Sequence, residues 1–285
     1  MAAKCIERSK EWNDELKLYS SSLNVCPNNA KVHYNIAKVL ANRGDFGSAE
    51  EEYLHAISLN PTYEQALNNL ALLFEKRGLL EKSEAILKNS LKIKPDFATA
   101  WMNLGIVQLK LDKFEDSENS FYEALRRRPK HADTLFNLGN LYLKQNRLAE
   151  AKNCWHNATS LEPKHLEAWV NLFILLEEQD ECLAVEFLAP LAFEHHPHSP
   201  VLHSQYGLCM ARLGKFEAAE ESLKKAIELD SKNAMFWGNL GTLYHRSVEY
   251  VKSRKAYEKS LLLEPTNLVV KNNYEKLLED IRKSI

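Results

Sequence analysis

Seven positions spaced 34 residues apart carry a carboxamide: Asn35, Asn69, Asn103, Asn137, Asn171, Gln205 and Asn239. Seven residues beyond most of them stands a cation, at Lys76, Lys110, Lys144, Arg212 and Arg246, with Asn42 and Glu178 the exceptions. A carboxamide donates two N–H bonds and accepts at its oxygen, so a row of them suits a peptide backbone of any side-chain sequence. Helices about 10 Å apart would meet every third residue of a strand rising ~3.3 Å per residue. The chemistry this spacing supports is recognition of an extended polypeptide. A second reading has each amide bonding to the neighbouring helix, and the residue types leave both open. The cations are either a mildly cationic groove or helix ends complementing the helix dipole. Arg126 to Arg128, just before Pro129, have the same two readings.

Catalysis finds no support. No nucleophile, acid and base recur together, and a groove built from a repeat lacks a closed pocket. His195, His196, His198 and His203 crowd EHHPHSPVLH, but its prolines deny the i, i+4 spacing of a helical metal site and no Cys or Asp completes a ligand set. The expectation is a solvated junction with neither metal nor cofactor. The five cysteines, Cys5, Cys26, Cys154, Cys182 and Cys209, are odd in number without metal-ligand spacing. They read as thiols, Cys154 and Cys209 as small packing residues on helix surfaces. One sequon, Asn157-Ala158-Thr159, is a glycosylation candidate at Asn157 if the chain enters a secretory compartment.

These columns need elements that repeat as they do. Proline stands at 27, 61, 95, 129, 163, 197 and 265, with Ser231 in the place of the missing member. Such a period marks stacked supersecondary units. Within Ala98–His131, Trp101, Leu104 and Gln108 share one helical face, and Ser117, Phe121, Ala124 and Leu125 share another. Three columns stay small: one runs through Ala37, Gly105 and Gly241, one through Ala49, Ser83 and Ser117, and one through Ala56, Ser90 and Ala124. Glycine costs about 1 kcal/mol in a helix, so its recurrence marks close helix crossings. The expected organisation is an N-terminal segment with a half repeat (1–29), seven units (30–63, 64–97, 98–131, 132–165, 166–199, 200–233 and 234–267) and a capping helix (268–285). The fold class is all-α, a right-handed superhelical solenoid. Trp12, Tyr19, Leu23 and Pro27 match only the second half of a unit. That orphan half implies a chain cut from a longer architecture, with self-association through its open face as a possibility. The fifth unit departs from the pattern, with Phe173 in the glycine column and Pro190 inside a helix, and the stack is expected to bend or loosen there.

Composition bounds the partners. Hydrophobic residues make up 45% and charged residues 27% of 285, and Lys+Arg 37 against Asp+Glu 39 leaves a net charge of −2. This field draws in neither nucleic acid nor an anionic membrane. The longest apolar run, Leu172 to Leu176, is far below the roughly 20 residues a bilayer requires.

AWMNLG, TLFNLGNLY, MFWGNLGTLY and GKFEAAEESLKKAIELD resemble the tetratricopeptide repeat, a resemblance covering Trp12 to Asn267. Chaperone-binding members of that family grip a carboxylate with Lys and Asn four apart. The corresponding pairs here, Tyr34 with Lys38, Asn68 with Leu72 and Phe136 with Asn140, do not match, which disfavours chaperone tails. LNVCPNNAKVHYNIAK, DFATAWMNLGIVQ and WHNATSLEPKHLEAWVN resemble the repeat region of the transmembrane and TPR repeat-containing proteins, nearest the fourth paralogue. The resemblance implies a parent with an amino-terminal membrane part like a dolichyl-phosphate-mannose mannosyltransferase, luminal repeats in the endoplasmic reticulum, and a link to O-mannosylation of cadherins and to calcium handling. Its acidic catalytic residues lie in that membrane part, so none maps onto this chain. The expected function is a luminal, substrate-recruiting module that binds protein or peptide in its groove, reaching the membrane only through a region absent here. The alternatives are a cytosolic assembly scaffold and a fragment of a complete mannosyltransferase.

Overall fold

The computed structural model describes residues 15–283, and all regular secondary structure among them is helical. Trp12 and Cys5 lie outside the described residues. Helix α1 (Glu15–Leu23) is followed by α2 (Ala30–Asn42), α3 (Phe46–Leu59), α4 (Glu64–Lys76), α5 (Leu80–Ile93), α6 (Ala98–Lys110), α7 (Phe114–Arg127) and α8 (Ala132–Lys144). Then come α9 (Leu148–Leu161), α10 (Leu166–Glu178), α11 (Cys182–His195), α12 (Pro200–Arg212), α13 (Phe216–Leu229), α14 (Ala234–Arg246), α15 (Tyr250–Leu263) and α16 (Leu268–Lys283). The chain divides into two compact units, one ending at Leu141 and one starting at Tyr142.

One local device turns the chain inside every hairpin. The fifteenth position of each unit has positive φ: Gly44, Gly78 and Gly214, but also Asp112, Asn146, Asp180 and Val248. Asp and Asn tolerate this left-handed conformation. Valine, β-branched, does not do so cheaply, and Val248 is a backbone outlier at φ 62°. A second device ties five of the seven hairpins to the turn before them, Leu67 and Leu135 standing in its place in the other two. Trp101 donates its indole N–H to the Pro95 carbonyl, and Trp169 and Trp237 do the same to Pro163 and Ser231. His33 and His203 place a ring nitrogen against Pro27 and Pro197 in the same way. What the acceptor position supplies is a carbonyl, which is why Ser231 serves where the period calls for proline.

In the first unit, the small column of the first helix faces a large residue sixteen positions on. A Cβ on Gly105 would stand 2.7 Å from the Phe121 ring; Ala37 and Ala71, with no exposed surface, are matched in register by Tyr53 and Leu87. Serines enter the buried second column because their hydroxyls have a partner: Ser83 and Ser117 donate to the Ala71 and Gly105 carbonyls, each at 2.7 Å. Helix α1 packs on α2 with none of its residues fully buried.

In the second unit the same contacts recur, with Cβ positions on Gly207 and Gly241 falling 2.8 Å from Leu223 and 2.5 Å from Tyr257. The fifth hairpin exchanges the sizes. Phe173 fills the small position and Ala189 the large one, both buried. With the bulk on the first helix, α10 and α11 approach less closely than the helix pairs α2–α3, α4–α5, α6–α7, α12–α13 and α14–α15. Helix α11 runs through Pro190 without interruption. At the carboxyl end α16 takes the place of a further first helix, burying Val270 and Leu277, and a Cβ on Gly238 would meet Val270 at 2.9 Å.

The cysteines require a correction. Cys182, at the start of α11, and Cys209, in α12, form a disulfide with Cα atoms 4.9 Å apart, inside the range that geometry demands. They are thus not free thiols, and Cys209 is wholly buried, not on a helix surface. The two residues are 27 apart in sequence and one lies in the irregular fifth hairpin, so no spacing rule signals the pair. Cys154 is free and buried, Cys26 free and exposed.

Candidate functional site

The carboxamide column sits where consecutive first helices meet, and the structure engages most of it. In the first unit Asn69 donates to the Tyr34 hydroxyl at 3.1 Å and Asn103 to the Asn68 side chain at 2.9 Å, each bond reaching back 35 residues to the preceding hairpin. Asn103 is 4% exposed. Asn137 turns to the Asp133 carbonyl of its own helix at 2.7 Å, and Asn35 is half-buried. In the second unit Asn239 donates to Ser204 at 3.1 Å, Asn171 is half-buried, and the Gln205 Oε1 is a buried acceptor without a hydrogen-bond partner. Asn69, Asn103 and Asn239 are thus oriented by the preceding hairpin and Asn137 by its own helix.

The cations divide by what stands one hairpin earlier. Lys110 pairs with Glu75, and Arg212 with Glu177 at 2.5 Å and Asp180 at 3.4 Å. In both pairs the acid occupies the twelfth position of the preceding unit. At Lys76 and Arg246 that position is Ala41 and Ala211. Among the described residues neither cation makes an ion pair. Lys144, following Leu109, has a partner of its own.

Where alanine replaces the acid, a cavity opens. In the first unit one of about 200 Å³ is lined by Lys38, Ala41, Asn42, Tyr53, Asn69, Leu72, Leu73 and Lys76. In the second, one of about 180 Å³ is lined by Leu208, Ala211, Arg212, Leu223, Asn239, Thr242, Leu243 and Arg246, with Glu177 added. The eight positions correspond one for one in repeat register. The amide and cation columns of the sequence therefore meet in the same cavities. Burial pushes the Tyr53 phenol up to about 12, the hydrogen bond with Asn69 working the other way, so it lines the first cavity as a neutral hydroxyl. Lys38, Ala41, Tyr53 and Ala211 were not among the expected site residues. Their signal in the sequence is the twelfth position, acidic at Glu75 and Glu177 and alanine at Ala41 and Ala211.

Of the remaining candidates, Arg126, Arg127 and His203 have structural partners, while the buried His196 Nε2 has no hydrogen-bond partner. Arg126 and Arg127 both pair with Glu123, and Arg127 also stacks on Trp101. His203 stacks on Phe193 with centroids 4.4 Å apart. Asn157 is exposed, but Thr159 of its sequon is 1% exposed in the last turn of α9, its hydroxyl bonded to the His156 carbonyl. An oligosaccharide could be attached only before this helix forms.

Family profiles of the tetratricopeptide repeat match residues 30–63, 64–97, 96–154, 136–180 and 211–266. The chain belongs to the tetratricopeptide repeat family. It is 63% identical over 98% of its length to the protein O-mannosyl-transferase F38B6.6 of Caenorhabditis elegans. It is 52% identical over 18% of its length to the protein O-mannosyl-transferase TMTC4 of Mus musculus. The chain spans 40% of the first relative and the shared segment 7% of the second. Among solved structures, the APC/C hetero-tetramer Cut9–Hcn1 matches 92% of this chain and 52% of its own with a TM-score of 0.61 at 12% identity, a likeness of fold alone. Among the described residues no helix is long and apolar enough to cross a membrane.

Proposed function

We propose that this tetratricopeptide repeat chain is the polypeptide-binding part of a membrane protein O-mannosyltransferase, holding acceptors, cadherins among them, in the lumen of the endoplasmic reticulum. The observation that carries the reading is the 63% identity over nearly the whole chain to a named O-mannosyl-transferase. The Cys182–Cys209 disulfide supports the compartment, because such bonds persist in oxidising lumens and are rare in the cytosol. The repeated cavities with their oriented amides support the binding role, since they recur in repeat register with an asparagine and a cation in each, Asn69 with Lys76 and Asn239 with Arg246. Catalysis is assigned to another part of the parent protein, and this chain recruits.

The test places a photo-crosslinking residue at Lys76 in the full-length product in its own cells. Microsomes are sealed before protease is added, and captured polypeptides are analysed for O-mannose. The chain is expected to be protected and the captured polypeptides enriched in O-mannosylated secretory proteins. A chain digested in sealed microsomes, or a captured set no richer in O-mannose than the whole membrane fraction, would overturn the reading.

A further inference from the structure

We propose that the cavity between the first two full hairpins is a carboxylate subsite that takes an aspartate or glutamate side chain of the bound polypeptide. The inference rests on the reading that the chain grips an extended polypeptide, and adds a side-chain preference to it. The repeat carries its own control. Wherever the twelfth position is acidic, the cation that follows is neutralised internally, as in Lys110 with Glu75 and Arg212 with Glu177. At Ala41 the internal acid is missing, so Lys76 faces a cavity instead of a carboxylate, and no other acid lines that space. Lys38 adds a second ammonium, and among the described residues neither lysine makes an ion pair.

The corresponding cavity of the second unit is lined by Glu177 beside Arg212 and Arg246, so its charge is already half cancelled. The first cavity is the stronger anion site. Its volume is about 200 Å³. That is well below the roughly 300–1,000 Å³ of a drug-sized pocket and suits one carboxylate with a few waters. The walls fix polarity: Tyr53 stays protonated, and the Asn69 carboxamide is held by Tyr34 and Asn68. A guest carboxylate would thus meet N–H and O–H groups and two ammonium ions, without an internal competitor.

Three capped, serine-rich decapeptides serve as probes: one with a central glutamate, its glutamine analogue, and that analogue with a free carboxyl terminus. Binding to the full 285-residue chain is measured by fluorescence anisotropy at low and high salt. The glutamate peptide is expected to bind about fivefold more tightly than the glutamine peptide, the scale of exposed ion pairs, and the ratio should shrink as salt screens it. Ala41→Glu, which installs the acid used by the next hairpin, is expected to abolish the ratio without lowering the melting temperature. Lys76→Gln should reduce it. Equal binding of the glutamate and glutamine peptides overturns the subsite while the polypeptide-binding reading stands. A ratio unaffected by Ala41→Glu overturns it too, as does a free-terminus peptide that matches the glutamate one. Failure of all three peptides to bind overturns both.

Discussion

The exchanged residues of the fifth hairpin make the sharpest stability prediction. Phe173→Ala removes a fully buried ring that meets Trp169 edge-on at 5.9 Å. Such truncations cost about 3–5 kcal/mol. Ala189→Phe alone forces a ring into a filled space, at about 1–3 kcal/mol. If the two sites were independent, the double variant would lose the sum, about 4–8 kcal/mol. The double variant, however, restores the arrangement of other hairpins, small on the first helix and large on the second, as in Gly105 with Phe121 and Gly241 with Tyr257. It is therefore expected to be more stable than Phe173→Ala, with a coupling energy that exceeds the cost of Ala189→Phe alone, at least about 1 kcal/mol. Repeat arrays do not unfold in two states, so the readout is native-state hydrogen exchange of α10 and α11 amides, which reports local opening. A double variant as unstable as the sum of the singles would refute the size exchange and leave the fifth hairpin merely irregular.

Gly241→Ala gains about 1 kcal/mol of helix propensity but drives its Cβ to 2.5 Å from the Tyr257 ring, so thermal denaturation should show net destabilisation; Gly47→Ala in α3, with nothing within 4 Å of its Cβ, should stabilise instead. Val248→Asn relieves a left-handed valine that is 65% exposed and contributes little packing; the expected gain, read by native-state hydrogen exchange of α14 and α15 amides, is about 1 kcal/mol. Breaking Cys182–Cys209, which closes a separation of 27 residues, should cost about 3–4 kcal/mol by loop entropy. Reductant should therefore lower the melting transition of the native chain and leave that of a Cys182→Ala, Cys209→Ala double variant unmoved.

Much of the fold is legible in the chain because a period of 34 residues constrains every unit alike. Glycine in a helix is costly, so Gly105 and Gly241 reported close helix crossings before any coordinate did. The aromatic residues that enforce them, Phe121 and Tyr257, lie at a fixed offset. The site was legible only as two columns. Sequence could not say that Asn103 is spent on Asn68, or that Lys110 is neutralised while Lys76 is not, because those outcomes depend on a residue 34 or 35 positions away across a helix interface.

By itself the sequence determined the all-α repeat, the helix pairs, the small columns and the rows of amides and cations, since each follows from local periodicity. Tertiary structure alone decided three things: the Cys182–Cys209 bond, the reciprocal sizes of Phe173 and Ala189, and which cations are left without an acid. Each of these depends on a contact between helices, where a single alanine at 41 or 211 decides whether a charge is satisfied internally or left facing a cavity.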